Sequence, residues 1–261
     1  MKCLKLYILS LLIIHNQRVH LMQTAIIIPA RYQSSRFEGK PLALIHNKPM
    51  IQHVYERASL AKCADIVAVA TDDERIKEAV EKFSGKVIMT DTVHHSGTDR
   101  LAEASRILKL SEKDIVINVQ GDQPLIDPRS LDQVIEPFKN NDSLDMTTLA
   151  FRIINPREKI DPKDVKVVFD KNGYALYFSR APIPFGRDKA SDNMYKHLGV
   201  YAYRRRFLDI FHQLPQGYLE DVEKLEQLRV LENGMPIRIV VTEFDSPEVD
   251  IPKDIERIEN F

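Results

Sequence analysis

The sequence predicts an α/β fold with a mostly parallel, doubly wound sheet and an inserted antiparallel β region. Three observations carry that prediction. Short apolar runs alternate with segments of helical spacing from Ala25 to beyond Pro128, the rhythm of βαβ units. Each of these runs lacks the polar alternation of a half-exposed strand, as expected of strands covered on both faces. From Met146 the rhythm changes, and Asp164–Phe169 and Tyr174–Ser179 flank an Asp-Lys-Asn-Gly turn, a hairpin signal.

In chain order, the apolar run Ala25–Ile28 is cut off by Pro29 and empties into a loop holding Arg31, Ser34, Ser35, Arg36, Gly39 and Lys40. Met50–Ala61 has helical spacing at Met50, Ile51, Val54 and Ala58, with Pro49 suited to the first turn. Asp65–Ala70 is a buried strand ending in Thr71-Asp72-Asp73, Glu74–Phe83 a helix, and Lys86–Met89 a strand. Thr90–Arg100 is polar, and Leu101–Leu108 reads as the next helix. Ile115–Val119 is a strand that ends in Gln120-Gly121-Asp122-Gln123, and Asp127 caps a helix opening at Pro128. In such sheets ligands lie beyond the carboxyl ends of the strands. The loop after Ile28, the Asp72 end and the Gln120–Asp122 end should therefore share one crevice. Residues 146–204 form the inserted region, with a Pro-rich loop at Arg180–Gly186, a polar tip at 190–193 and a strand at His197–Tyr203. Leu219–Glu232 reads as one long helix with Val222, Leu225, Leu228 and Leu231 in a stripe and Gly234 past its end; Ile237–Thr242 is the last strand, and a short helix closes the chain.

The 261 residues suit one large domain, from 23 to 261, and 44% hydrophobic content supports a substantial core. A net charge of −1 argues against a general nucleic-acid binder. Two cysteines, Cys3 and Cys63, point to a reducing, cytoplasmic setting rather than a disulfide framework. The apolar stretch Leu4–Ile14 is shorter than the roughly 20 residues that cross a bilayer. We read residues 1–22 as an extension, with Met22 as the working start; a membrane tether and a cleaved signal are the other two readings.

The loop after Ile28 suits a polyphosphate, because Gly and Ser let backbone N–H groups approach while Arg31, Arg36 and Lys40 neutralise the anion. It lacks the GxxxxGK[ST] pattern. Asp122 is open to two roles, a Mg²⁺ ligand or a loop carboxylate. Asp250 is open to two as well, a second ligand or a cap for the helix near Pro252. Arg180 suits a substrate carboxylate or a structural ion pair. His197 alone reads as an ordinary hydrogen-bonded histidine, and Glu226 as part of a solvated helix face. His94 and His95 lack the spacing of a zinc site.

PARYQSSRFEGKPL, HHSGTDR, NVQGDQP, VKVVFD with GYALYFSRAPIP, KHLGVYAYR, LEQLRVLENG and VDIPKD occur in that order. Together they closely resemble the 3-deoxy-manno-octulosonate (Kdo) cytidylyltransferases, the CMP-Kdo synthetases of lipopolysaccharide assembly, from about Gln23 onward. The resemblance implies a GT-A-like nucleotidyltransferase and the reaction of CTP with Kdo to give CMP-Kdo and pyrophosphate. It implies that Arg31, Ser34 and Lys40 bind the CTP phosphates, and that Ser96, Gly97, Arg100 and Gln120 hold the cytidine. Asp122 and Asp250 would ligate Mg²⁺; Gln123, Arg180, His197, Glu226 and Gln227 would form the sugar pocket. Catalysis would fall to Arg31, Lys40, Asp122 and Asp250. A homodimer joined through the inserted region is implied too. Two departures stand out. Phe37-Glu38 replaces a usual Leu-Pro, placing a carboxylate near the phosphates, and Gln123 replaces a usual Glu, which suits a variant sugar acid.

Overall fold

The computed structural model describes residues 22–34, 36–94, 96–188 and 193–260. The readings of residues 1–21 and of the tip at 190–192 fall outside them. β1 (Thr24–Ala30) lies between β4 (Ile66–Thr71) and β6 (Ile115–Asn118), parallel to both. Ala25, Ile26, Ile27 and Ile28 are all fully buried, so the unbroken apolar run reflects covering on both faces. β5 (Val87–Met89) adds parallel to β4. On the other side β10 (Tyr195–Arg204) runs antiparallel to β6 and to β7 (Met146–Arg152), and β11 (Arg238–Thr242) closes the edge parallel to β7. The order is β11-β7-β10-β6-β1-β4-β5, with the hairpin of β8 (Lys166–Phe169) and β9 (Ala175–Ser179) joined to β10.

Alternate residues of β1 feed two cores. Ile26 and Ile28 pack with Ile51 and Val54 of α1 (Met50–Ala58), Ile76 and Val80 of α2 (Glu74–Lys82), and Leu131 of α4 (Pro128–Val134). Ala25 and Ile27 pack with Leu101 and Ala104 of α3 (Gly97–Ile107), Phe207 of α5 (Arg205–Gln213) and Leu228 of α7 (Gln227–Glu232). α6 (Tyr218–Glu223) precedes α7, and α8 (Lys253–Glu259) closes the described chain.

The structure corrects several expectations. The first strand runs through Pro29 to Ala30. Its ladder with β6 ends at Ile27 opposite Asn118, so the missing N–H of Pro29 falls where the two strands part and no ladder bond is lost. Gly121 fills that gap; a Cβ there would come within 3.1 Å of the Pro29 carbonyl oxygen. The helix expected from Leu101 begins at Gly97, because the Ser96 hydroxyl accepts from the Asp99 N–H at 3.1 Å and caps it. The long helix is broken at Lys224, which adopts φ 53°. Val222 is therefore turned to solvent while Leu225 and Leu228 are buried. The inserted region is continuous with the main sheet, since β10 lies between β6 and β7.

Candidate active site

The ends of β1, β4 and β6 open onto one crevice, as their polar mouths predict. Arg31, Ser34, Lys40, Gly97, Gln120 and Asp122 line a cavity of about 310 Å³ within it. Because α3 starts at Gly97, Arg100 comes off its first turn fully buried. There it donates 2.7 Å to Asp72 at the end of β4 and 2.5 Å to the Thr90 hydroxyl. Arg31 donates 2.8 Å to the His94 carbonyl; His94 in turn pairs with Glu103. Burial, then the charge of Arg100, lower the Arg31 pKa below its usual value. An arriving anion relieves that repulsion, so this is a place where phosphate binding is favoured.

A small apolar cluster sets the cationic loop. Phe37 packs with Ile45, Met50, Val249 and Ile258. Ile45 belongs to a short hairpin of β2 (Leu44–Ile45) and β3 (Lys48–Pro49). Gly39 turns the loop at φ 69°, tight against the Tyr32 ring. Lys40 then reaches Asp122 at 2.5 Å and the Val249 carbonyl at 3.0 Å, and Arg36 reaches Asp250 at 3.2 Å. Glu38, expected near the phosphates, is exposed on the outer side, where its charge acts on Arg75.

Asp250 is not a helix cap. Pro252 holds the cap position of α8, and the Asp254 carboxylate accepts the N–H groups of Asp250 and Ile251. The Asp250 carboxylate therefore faces Arg36. The second carboxylate oxygen of Asp122 is buried without a partner among the described residues. Asp122 and Asp250 each offer the hard oxygen donor that Mg²⁺ takes, and substrate phosphate and water would fill its remaining positions. Without ligand, Lys40 and Arg36 neutralise both.

Sequence reasoning missed Glu248. It sits two residues before Asp250, and in extended chain i and i+2 share a side, which is the signal that was there to read. Enclosure by protein, then the charges of Asp122 and Asp250, push Glu248 up to about 8. Glu248 is exposed, and a bound cation would cancel the repulsion.

Beyond Glu248 lies the second half of the site. His197 meets Thr148 at 2.9 Å, while the Thr148 hydroxyl donates 2.7 Å to the Val200 carbonyl. His197 thus donates through Nε2 and keeps Nδ1 as an acceptor. Burial pushes its pKa down to about 3, so it is neutral. Glu226 accepts 2.7 Å from the Thr98 hydroxyl, its other oxygen has no partner among the described residues, and burial raises its pKa. Buried Gln123 and Gln227 each leave an unpartnered amide atom, Oε1 and Nε2. Burial, then the charges of Tyr203, Glu226 and Glu248, raise the pKa of the Tyr201 hydroxyl well above its usual value. Arg180 stands apart: its guanidinium donates to the carbonyls of Glu223, Pro162 and Lys224. Buried polar atoms without partners are rare, and a ligand explains a set of them in one crevice.

A family model described as cytidylyltransferase matches residues 25–239. The 3-deoxy-manno-octulosonate cytidylyltransferase 2 of Hydrogenovibrio crunogenus is 59% identical over 241 residues, 91% of this chain and 97% of that protein. The 8-amino-3,8-dideoxy-manno-octulosonate cytidylyltransferase of Shewanella amazonensis is 60% identical over 240 residues, 92% of this chain and 98% of that protein. A CMP:2-keto-3-deoxy-manno-octonic acid synthetase solved with CTP superposes with a TM-score of 0.86 at 44% identity, covering 91% of this chain and 97% of that one.

Proposed function

The chain belongs to the cytidylyltransferase family, and from that premise we propose that it transfers CMP from CTP to 3-deoxy-manno-octulosonate, releasing pyrophosphate, for lipopolysaccharide assembly. The observation that carries this reading is the pairing of two half-sites across Asp122: a cationic loop with Arg31 and Lys40 on one side, and a set of unpartnered acceptors on the other. Its relatives named for Kdo and for the 8-amino sugar support it.

The anomeric hydroxyl attacks the α-phosphorus in line, the bond to the β-phosphate oxygen breaks, and the hydroxyl proton passes to water. Such chemistry rests on positioning and charge neutralisation. Arg31 and Lys40 stabilise charge on the departing pyrophosphate, and Ser34 contacts the phosphates. Ser96, Gly97, Arg100 and Gln120 bound the nucleoside, with Arg100 acting through Asp72 and Thr90. Asp122 and Asp250 would hold Mg²⁺, which supplies Lewis-acid neutralisation of the α-phosphate. CTP delivers phosphate charge to Lys40 and Arg36, which frees both carboxylates. Glu226, Gln227, His197 and Gln123 orient the sugar hydroxyls.

No helix among the described residues is long and apolar enough to cross a membrane, and we place the enzyme in the cytoplasm. It pairs with a second copy through the inserted region, where Ile154, Ile160, Leu176 and Phe185 are exposed; a sedimenting mass equal to one chain would remove that pairing. The function is tested by pyrophosphate release from CTP and Mg²⁺ over a panel of Kdo, 8-amino-Kdo and a sialic acid. Release with Kdo is expected, and release with sialic acid alone would overturn the reading.

A further inference from the structure

Glu248, beside Asp122 and Asp250, is given no task by the reaction above. It makes no ion pair among the described residues, and neither does Glu226. Gln123, fully buried, donates 2.5 Å to the Leu198 carbonyl and 3.3 Å to Glu248 through the same Nε2. A flipped amide would set its oxygen against two acceptors, so those contacts fix Oε1 on the other side, where it has no partner among the described residues. Gly199 leaves room for the acid: a Cβ there would stand 3.4 Å from the Glu248 carboxylate and 3.9 Å from the Gln123 amide nitrogen. Its φ of 66° suits glycine as well.

The groups left to meet an acceptor are thus mostly acceptors themselves: Glu248, Gln123 Oε1, the second Glu226 oxygen and His197 Nδ1. Gln227 Nε2 is the opposite case. A sugar hydroxyl offers this set one proton without charge. A protonated amine offers three and balances the acids. The cations whose charge reaches these acids, Lys40 at Glu248 and Arg229 at Glu226, are already paired with Asp122 and Glu220.

Building on the function proposed above, we propose that Glu248, oriented by Gln123, selects an octulosonate carrying a protonated amine over the all-hydroxyl sugar acid. The test is kcat/KM for 8-amino-3,8-dideoxy-manno-octulosonate and for Kdo, with CTP and Mg²⁺ saturating and pyrophosphate as the readout. The amine form is expected to lead by about tenfold or more. Glu248→Gln should cut that ratio by about 10–100-fold, the range for one hydrogen bond to a charged group, while the KM for CTP and the Mg²⁺ titration keep their wild-type values. Glu248→Asp, which retains the charge, should keep much of the ratio. A wild-type preference for Kdo overturns the proposal, as does a ratio untouched by Glu248→Gln. A Mg²⁺ titration displaced equally with both acceptors overturns it too, and makes Glu248 part of the metal centre. If Glu248→Gln does not fold, the wild-type ratio alone decides. Pyrophosphate release with neither sugar would defeat the proposed function itself, a different result from release without preference.

Discussion

Asp122 is the residue on which both halves of the site depend. One of its oxygens holds Lys40 at 2.5 Å and the other is buried without a partner among the described residues. Asp122→Asn and Asp250→Asn should each lower turnover by about 10²-fold or more, since each would remove a charged ligand of the proposed Mg²⁺, while near-UV circular dichroism stays native. Turnover close to wild type at saturating Mg²⁺ in either variant would refute the assignment. His197 gives a second expectation. Its pKa is about 3 when folded and 6.5 ordinarily, so between these values the unfolded chain takes up a proton that the folded chain refuses. Stability is fully present above pH 6.5 and is lost as pH falls through this window. His197→Gln should flatten that part of the loss, seen as a smaller drop in urea midpoint from pH 7 to pH 5; an equal drop in both proteins would reject it.

At the scale of elements, the break between α6 and α7 shapes the acceptor side. Lys224 takes the left-handed conformation, and Arg180 ties down the carbonyls of Glu223 and Lys224 on either side of the turn. A continuous helix would carry Glu226 and Gln227 in another direction. Lys224→Val, β-branched at positive φ, should cost about 1–2 kcal/mol in chemical denaturation and raise the KM for the sugar more than that for CTP. Lys224→Gly should be close to neutral. Arg180→Ala should behave like Lys224→Val, and Arg180→Lys should not restore it, because one ammonium cannot replace a planar fork of donors. The order of the strands on the parallel side was legible in the sequence, because strands covered on both faces must be apolar throughout. So was the shared crevice, because polar residues follow each run. The break at Lys224 was not: leucine spacing is the same on both sides of it, and the turn is tied down by Arg180 and Ser179, distant in sequence, and by the Glu220–Arg229 pair between the two helices. Nor was the start of α3, since Gly97 and Thr98 are weak helix formers and a single cap at Ser96 outweighs them. Glu248 escaped because its partner, Gln123, lies 125 positions away in the loop after β6.

Across the whole molecule, the site gathers the β1 loop, the first turn of α3, the end of β6 and the segment before α8. A ligand spanning them stabilises the fold as RT ln(1 + [L]/Kd). CTP with Mg²⁺ should raise the thermal midpoint by more than the sum of CTP and Mg²⁺ added singly, and simple additivity would argue against a shared site at Asp122 and Asp250. The contact between Lys40 and the Val249 carbonyl joins residues 209 positions apart. During synthesis on a ribosome, the cationic loop must wait for a further 209 residues before Val249 can meet it. A nascent chain can therefore build most of its sheet and still have no seat for nucleotide. Retention on immobilised CTP would then separate finished molecules from chains stalled short of Val249.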